Sequence, residues 1–204
     1  RALLSDIADQ TGLYCVDLIK PLMSGLTAYL DAEPVGRPGR RRLNEAYFKR
    51  IEAVEFSVKH DDGQLPEKLG LADIVLVGIS RTSKTPLSTY LAQKGWKVAN
   101  VPLVLDLNVP TELGAIDPRR VFALTIDVSP LMRIRRSRLR ALNMPADTDY
   151  AQRSHIAAEL SFARELFREH PEWHVINVSQ RAIEETAGII LRRLEDHDLG
   201  PRTS

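Results

Sequence analysis

The chain has 204 residues, of which 44% are hydrophobic, and its 28 Lys and Arg against 27 Asp and Glu leave a formal net charge of +1. This composition excludes a disordered chain and argues against a strongly basic nucleic-acid-binding protein, so we expect no nucleic-acid partner. The single cysteine, Cys15, excludes an intramolecular disulfide, and the lack of a signal-peptide pattern and of any apolar run of about 18 residues predicts a cytoplasmic protein with no membrane partner.

The first part of the chain contains short predicted elements. We predict a helix over residues 1–10, a strand over 12–19, a helix over 21–30 and a loop over 31–42. Two prolines and two glycines interrupt the last of these stretches, which favours a loop over a helix or a strand.

A longer amphipathic helix is predicted over residues 45–60. Asn44 is a suitable N-cap, and the turn residues Asp61, Asp62 and Gly63 are expected to end the helix. Apolar residues at helical spacing form its predicted apolar face: Leu43, Tyr47, Ile51, Val54 and Val58. A loop is predicted over residues 64–71.

From residue 72 onward, strands and helices alternate. The predicted strands span residues 72–78, 97–105, 121–126 and 173–178. The predicted helices span residues 86–94, a segment capped by Ser129 with Pro130 at its first position, residues 150–169, and a last segment striped by Ile183, Ala187, Ile190, Leu191 and Leu194. This alternation predicts an α/β fold with a mostly parallel sheet and helices on both faces.

The first of these strands leads into the most informative segment, Gly78-Ile79-Ser80-Arg81-Thr82-Ser83-Lys84-Thr85. A phosphate-binding loop has the pattern G-x-x-x-x-G-K-[ST] between a strand and a helix. Gly78, Lys84 and Thr85 match it, whereas Ser83 stands in place of the second glycine. The alternative interpretation is a polar strand-to-helix turn with an N-capping hydroxyl.

If the segment is a phosphate-binding loop, each part has a physical role. Its backbone N–H groups and the following helix N-terminus attract phosphate oxygens. Lys84 reaches the terminal phosphates, and the Thr85 hydroxyl can hold Mg²⁺. The hydroxyls of Ser80, Thr82 and Ser83 add donors, and Arg81 either contacts phosphate or is a solvated charge.

Carboxylates and a histidine outside the loop are candidates for acid–base and metal chemistry. Asp62 or His60 can act as the base that activates a hydroxyl acceptor, and the alternative is a helix end followed by an Asp-Asp-Gly turn. Asp127 follows a predicted strand and can help Thr85 to hold the metal ion, or can cap the next helix. That helix carries five arginines that either neutralise phosphate charge or form a solvated face: Arg133, Arg135, Arg136, Arg138 and Arg140.

The chain resembles the regulatory proteins of pyruvate, phosphate dikinase and of phosphoenolpyruvate synthase. The matching stretches are AVEFSVKHDDG (53–63), ADIVLVGISRTSKTPLSTYLAQKGWKVANVPLV (72–104), DPRRVFALTID (117–127) and IEETA (183–187). The resemblance implies that residues 43–204 form a P-loop kinase-like domain whose ADP-binding loop is residues 78–85. Family members carry a further N-terminal segment with a Ser-Asp-Gly-Thr-Gly stretch that is absent here, so residues 1–42 are expected to be the remnant of a smaller α/β N-terminal domain plus a linker.

The resemblance also implies two activities. The family phosphorylates a Thr beside the catalytic His of its target with ADP as donor, and removes the phosphate with inorganic phosphate, which releases pyrophosphate. The implied partners are the dikinase or the synthase and a second copy of the chain in a homodimer. Two other functions remain open on the residues alone, namely a P-loop small-molecule kinase and a nucleotide-binding regulatory module without catalysis.

Overall fold

The computed structural model describes residues 8, 10–12, 19–32, 45–145 and 148–202. The chain divides into two compact units, residues 1–42 and 43–204. In the first unit, helix α1 spans Ile19–Leu30, which confirms the helix predicted over 21–30 and shows that the last residue assigned to the preceding strand is helical. Most of the helix predicted over 1–10, of the strand predicted over 12–19 and of the loop predicted over 31–42 lies outside the described residues, as does the Asn44 cap.

The second unit is built on a parallel four-stranded sheet. Its strands are β1 (Ile74–Ile79), β2 (Val98–Leu103), β3 (Val121–Thr125) and β4 (His174–Asn177). They lie in the order β2-β1-β3-β4, and every neighbouring pair is parallel. All six residues of β1 are buried. A continuous apolar run is typical of a strand that is covered on both faces, so the predicted α/β class is confirmed.

Five helices flank these strands in the described part of the second unit: α2 (Glu45–Lys59), α3 (Lys84–Ala92), α4 (Val128–Ala141), α5 (Arg153–Glu169) and α6 (Ile183–Asp196). Several predicted boundaries were wrong. Helix α3 begins two residues before Pro86, and Asp127, not Ser129, is the N-cap of α4. A 3-10 turn precedes α5, and residues Pro66–Leu71 form a 3-10 helix where a loop was predicted.

The strand order explains why helices cover both faces. The chain moves from β1 to β2 in one direction and from β3 to β4 in the other. Because parallel crossovers are right-handed, helices in oppositely directed crossovers lie on opposite faces. Helices α2, α3 and α6 accordingly form one contacting group, and α4 with α5 forms another. The connections from the adjacent strands β1 and β3 run in opposite directions across the sheet. A ligand crevice is expected at such a point, where β1 ends.

The buried face of α2 differs from the predicted one. Tyr47, Ile51 and Val58 are exposed, and the buried residues are Ala53 and Ser57. Small side chains let α2 approach β2, where the Ser57 hydroxyl accepts the backbone N–H of Val98. The helix therefore accepts one hydrogen bond from an edge strand, which has no further strand on its outer side.

Within the described residues, none of the helices has both the length and the apolar character needed to cross a membrane.

The half-buried His174 on β4 predicts a pH-dependent stability. Burial is the main cause that lowers its pKa below the usual value, and the charges of Arg193 and His197 act in the same direction. As the pH falls, His174 therefore binds a proton in the unfolded chain near pH 6.5, before it does so in the folded chain. The free energy of unfolding decreases between that pH and the lower pKa of the folded state. Urea unfolding between pH 8 and 5 should show a shallower loss of stability in His174→Gln than in the unchanged chain, and equal slopes would contradict this assignment.

Candidate active site

The phosphate-loop segment, residues 78–85, requires the glycine at its start, which is still part of β1. A Cβ on Gly78 would lie 2.8 Å from the carbonyl oxygen of Leu124 on β3 and 2.9 Å from the Thr82 hydroxyl. Both neighbours are held in place, since Leu124 belongs to a buried strand and Thr82 donates to the Ile79 carbonyl at 2.9 Å. Thr82 is fully buried. Its hydroxyl therefore stabilises the loop and is not one of the outward donors that the sequence predicts.

Two residues of the loop have left-handed backbone conformations. Arg81 has φ 72° and Ser83 has φ 65°. Ser83 thus adopts, without being a glycine, the conformation that glycine favours at the matching position of the phosphate-loop pattern. Non-glycine residues in this region cost about 1 kcal/mol or more, and such strain clusters at ligand-binding sites.

Lys84 begins helix α3 and points back over the loop. Its ammonium group donates to the carbonyl oxygens of Gly78 at 2.7 Å and Ile79 at 3.0 Å, and its side chain is nearly fully buried. Burial is the main cause that lowers the pKa of Lys84 to about 8, while the charges of Asp62 and Asp61 oppose this shift. The site therefore holds a desolvated cation next to two carboxylates.

A cavity of about 350 Å³ opens in front of the loop. Its lining combines five loop residues, one carboxylate and three apolar neighbours: Asp62, Ser80, Arg81, Ser83, Lys84, Thr85, Pro86, Pro102 and Ile134. The cavity lies where β1 ends, which is the position that the strand order predicts for a ligand.

The structure separates the two candidate bases. Asp62 lines the cavity and has φ 52°. His60 is buried, its ring stacks on Phe56, and its Nδ1 lies 2.7 Å from the Phe56 carbonyl oxygen. Because a carbonyl only accepts, Nδ1 carries the proton and donates to it. His60 thus packs at the end of α2 and is not among the residues that line the cavity, so the geometry favours Asp62.

A carboxylate that the sequence reasoning did not select contacts the loop. The Thr85 hydroxyl donates to Asp61, at 3.2 Å from both carboxylate oxygens. The side-chain amide of Asn100 on β2 also donates to Asp61, and the same amide lies 3.3 Å from the Ser88 hydroxyl. The Asp-Asp-Gly run after α2 was the available signal, but the sequence could not show which aspartate faces Thr85.

Asp127 is not among the residues that line the cavity in front of the loop. It is exposed at the N-terminus of α4, where its carboxylate accepts the side-chain amide of Asn177 at 3.1 Å and its backbone N–H donates to the Ser179 hydroxyl at 2.8 Å. It lines a separate open cavity with the β4–α6 connection. Its contacts tie together the ends of β3 and β4.

The five arginines of α4 have different environments. Arg133, Arg136, Arg138 and Arg140 are exposed, as expected for a solvated face. Arg135 is completely buried and donates to the Ser80 carbonyl oxygen at 3.2 Å and to the Glu159 carboxylate. Arg135, one member of the predicted arginine cluster, therefore stabilises the loop through the Ser80 carbonyl.

Comparison with known proteins finds one matching family model and several similar proteins. The family model described as Kinase/pyrophosphorylase matches residues 1–191. A relative from Sorangium cellulosum, named as a pyruvate, phosphate dikinase regulatory protein, is 54% identical over 190 residues, which are 93% of this chain and 68% of that protein. A relative of the same name from Bdellovibrio bacteriovorus is 50% identical over 94% of this chain and 69% of its own length. The chloroplastic pyruvate, phosphate dikinase regulatory protein 1 of Arabidopsis thaliana is 48% identical over 89% of this chain and 46% of its own length.

Proposed function

Because the chain belongs to the kinase/pyrophosphorylase family, we propose that it is an ADP-dependent serine/threonine kinase and a phosphate-dependent pyrophosphorylase. The proposed target is pyruvate, phosphate dikinase or phosphoenolpyruvate synthase, and the names of the relatives favour the dikinase. The observation that carries the proposal is the cavity at the end of β1, in which Lys84, Asp62 and the strained loop converge. The predicted homodimer and cytoplasmic location stay predictions.

The loop residues supply the phosphate site of this proposal. The backbone N–H groups of Ser80 to Thr85 and the N-terminus of α3 provide fixed positive dipoles, and Lys84 adds a full charge. These groups attract the two phosphates of ADP. They also stabilise the charge that builds on the transferring phosphoryl group, which is the main requirement for catalysis of phosphoryl transfer.

In the kinase direction, the threonine oxygen of the target attacks the β-phosphorus of ADP. The bond from that phosphorus to the bridging oxygen breaks, AMP leaves, and Asp62 accepts the threonine proton. In the opposite reaction, an oxygen of inorganic phosphate attacks the phosphorus of phosphothreonine. The threonine oxygen leaves with a proton, and pyrophosphate is the product.

Thr85 and Asp61 are the residues that fit a magnesium ion. Their oxygens lie 3.2 Å apart, and hydroxyl and carboxylate oxygens are the donors that Mg²⁺ prefers. Within the described residues, no group of three His, Cys, Asp or Glu side chains could hold a metal, so phosphate oxygens and water would complete the ligands. The ion would neutralise phosphate charge, and we propose this pairing in place of the predicted pair of Thr85 with Asp127.

Asp61→Asn tests the metal assignment. We expect the Mg²⁺ concentration for half-maximal phosphoryl transfer to rise about tenfold or more, because a neutral amide binds Mg²⁺ more weakly than a carboxylate does. Magnesium titrations of the transfer rate provide the measurement. Asp127→Asn is the matched control and should leave the titration unchanged. A shift in the control with none in Asp61→Asn would return the metal site to Asp127.

The donor nucleotide tests the proposed function as a whole. The chain is mixed with Mg²⁺, the form of the dikinase that is phosphorylated on its catalytic His, and either ADP labelled in its β-phosphate or ATP labelled in its γ-phosphate. The proposal predicts label on a target Thr from ADP and little from ATP. Transfer from ATP to a small acceptor would indicate a metabolite kinase. Tight ADP binding with no transfer to any acceptor would indicate a regulatory module.

A further inference from the structure

The guanidinium of Arg135 connects the loop to the 3-10 turn before α5, Asp149–Ala151. Arg135 donates from Nη2 to the Ser80 carbonyl oxygen at 3.2 Å and from Nη1 to the Tyr150 carbonyl oxygen at 3.0 Å. Its guanidinium also lies 4.5 Å from the centre of the Tyr150 ring. Glu159 neutralises this charge through an ion pair. The Arg135 guanidinium therefore fixes the backbone and the ring of Tyr150 relative to Ser80.

Tyr150 in turn contacts a residue of the loop. Its hydroxyl accepts the Nε–H of Arg81 at 3.1 Å. Arg81 lines the cavity, and no partner for its two terminal nitrogens is found within the part of the chain that the structure describes. Its charge contributes to the lowered pKa of Lys84, so the two cations lie near each other. A guanidinium held through Nε keeps both terminal NH₂ groups for one anion.

The backbone conformation of Arg81 indicates that its contact with Tyr150 serves ligand binding. Its φ of 72° is costly for a long side chain, since glycine and asparagine are favoured there. A solvated arginine does not need that conformation, nor does it need a hydrogen-bond partner 69 residues further along the chain. Strained residues at a ligand cavity are held by their surroundings, and the Arg135–Tyr150 contacts are such surroundings.

We propose that Tyr150 is a positioning residue that holds the Arg81 guanidinium at the rim of the cavity, where it binds a phosphate of the nucleoside diphosphate. The proposal deepens the proposed function and rests on it. Tyr150 itself touches no phosphate, whereas Arg81 does. Arg135 acts one step further away, because it fixes Tyr150 to the loop.

The test is a double-mutant cycle on ADP affinity, measured by calorimetry with Mg²⁺ and ADP as the probe. Tyr150→Phe removes the hydroxyl and keeps the ring that packs on Arg135, so the unfolding temperature should not change. We expect Tyr150→Phe to weaken ADP binding about fivefold to tenfold, as loss of one typical hydrogen bond does, because the lost bond only positions Arg81. Arg81→Ala should weaken it more, and adding Tyr150→Phe to Arg81→Ala should cause no further loss. Tyr90→Phe, on the half-buried tyrosine of α3, is the matched control and should bind ADP normally.

Two results would overturn the proposal. The first is that Tyr150→Phe binds ADP as tightly as the unchanged chain does. The second is that Tyr150→Phe weakens ADP binding by the same factor with and without Arg81. Either result means that Tyr150 does not act through Arg81. A different failure is recognisable at the outset, because an unchanged chain that does not bind ADP contradicts the proposed function itself and this proposal with it.

Discussion

Lys84→Ala is expected to reduce phosphoryl transfer from ADP by about three orders of magnitude, because a preorganised charge at the transferring group is a large catalytic term. Lys84 is buried against the loop carbonyls, and an alanine there leaves the phosphate charge without its partner. Initial rates of label transfer to the target provide the measurement. Lys94→Ala, on an exposed lysine just after α3, is the matched control and should be fully active. Full activity in Lys84→Ala would remove the loop from the mechanism.

The same lysine gives ADP binding a pH dependence. Lys84 has a pKa of about 8 because of its burial, and a bound phosphate favours its charged form. Below pH 8 the ammonium is already present, so affinity should change little. Above pH 8 binding requires proton uptake, and the affinity should fall about tenfold per pH unit until the pKa of the complex is reached. In Lys84→Arg this fall should be absent, because arginine stays charged.

Arg135→Met is expected to lower the free energy of unfolding by about 3–5 kcal/mol, the range found when one partner of a buried ion pair is removed. Arg135 is completely buried, and its loss removes the ion pair with Glu159 and the donor to the Ser80 and Tyr150 carbonyls. Urea unfolding provides the measurement. The double variant Arg135→Met/Glu159→Leu removes both charges and should recover part of the loss. Equal stability of Arg135→Met and the unchanged chain would show that Arg135 is not a stabilising centre of the fold.

The strands were predictable because each is a short apolar run with its own signal. The run that forms β1 is rich in β-branched residues and is buried at every position, so its conformation depends little on the rest of the sequence. The face of α2 was not predictable from periodicity. Tyr47, Ile51 and Val58 mark a stripe of the right spacing, yet the helix buries Ala53 and Ser57. Close approach to an edge strand favoured small residues over large apolar ones.

In the candidate site, too, some contacts were predictable from the sequence and others were not. Gly78, Lys84 and Thr85 are neighbours in sequence, so the spacing of the pattern was enough to bring them together in one loop. The Asp61–Thr85 contact joins residues 24 positions apart, and the Arg81–Tyr150 contact joins residues 69 apart. Such pairs depend on how the strands and helices pack, and no local pattern encodes them. Ser83 shows a local feature that spacing also missed, since its left-handed backbone replaces a glycine.

The central claim is that one cavity performs both activities. The most direct test of this claim is to identify the product in which label leaves the target. The dikinase, labelled on its regulatory Thr, is incubated with the chain, Mg²⁺ and unlabelled inorganic phosphate, and the released product is identified. The account predicts labelled pyrophosphate, and it predicts that Lys84→Ala loses this release together with transfer from ADP. Release as labelled inorganic phosphate, or release that persists in Lys84→Ala, would contradict it.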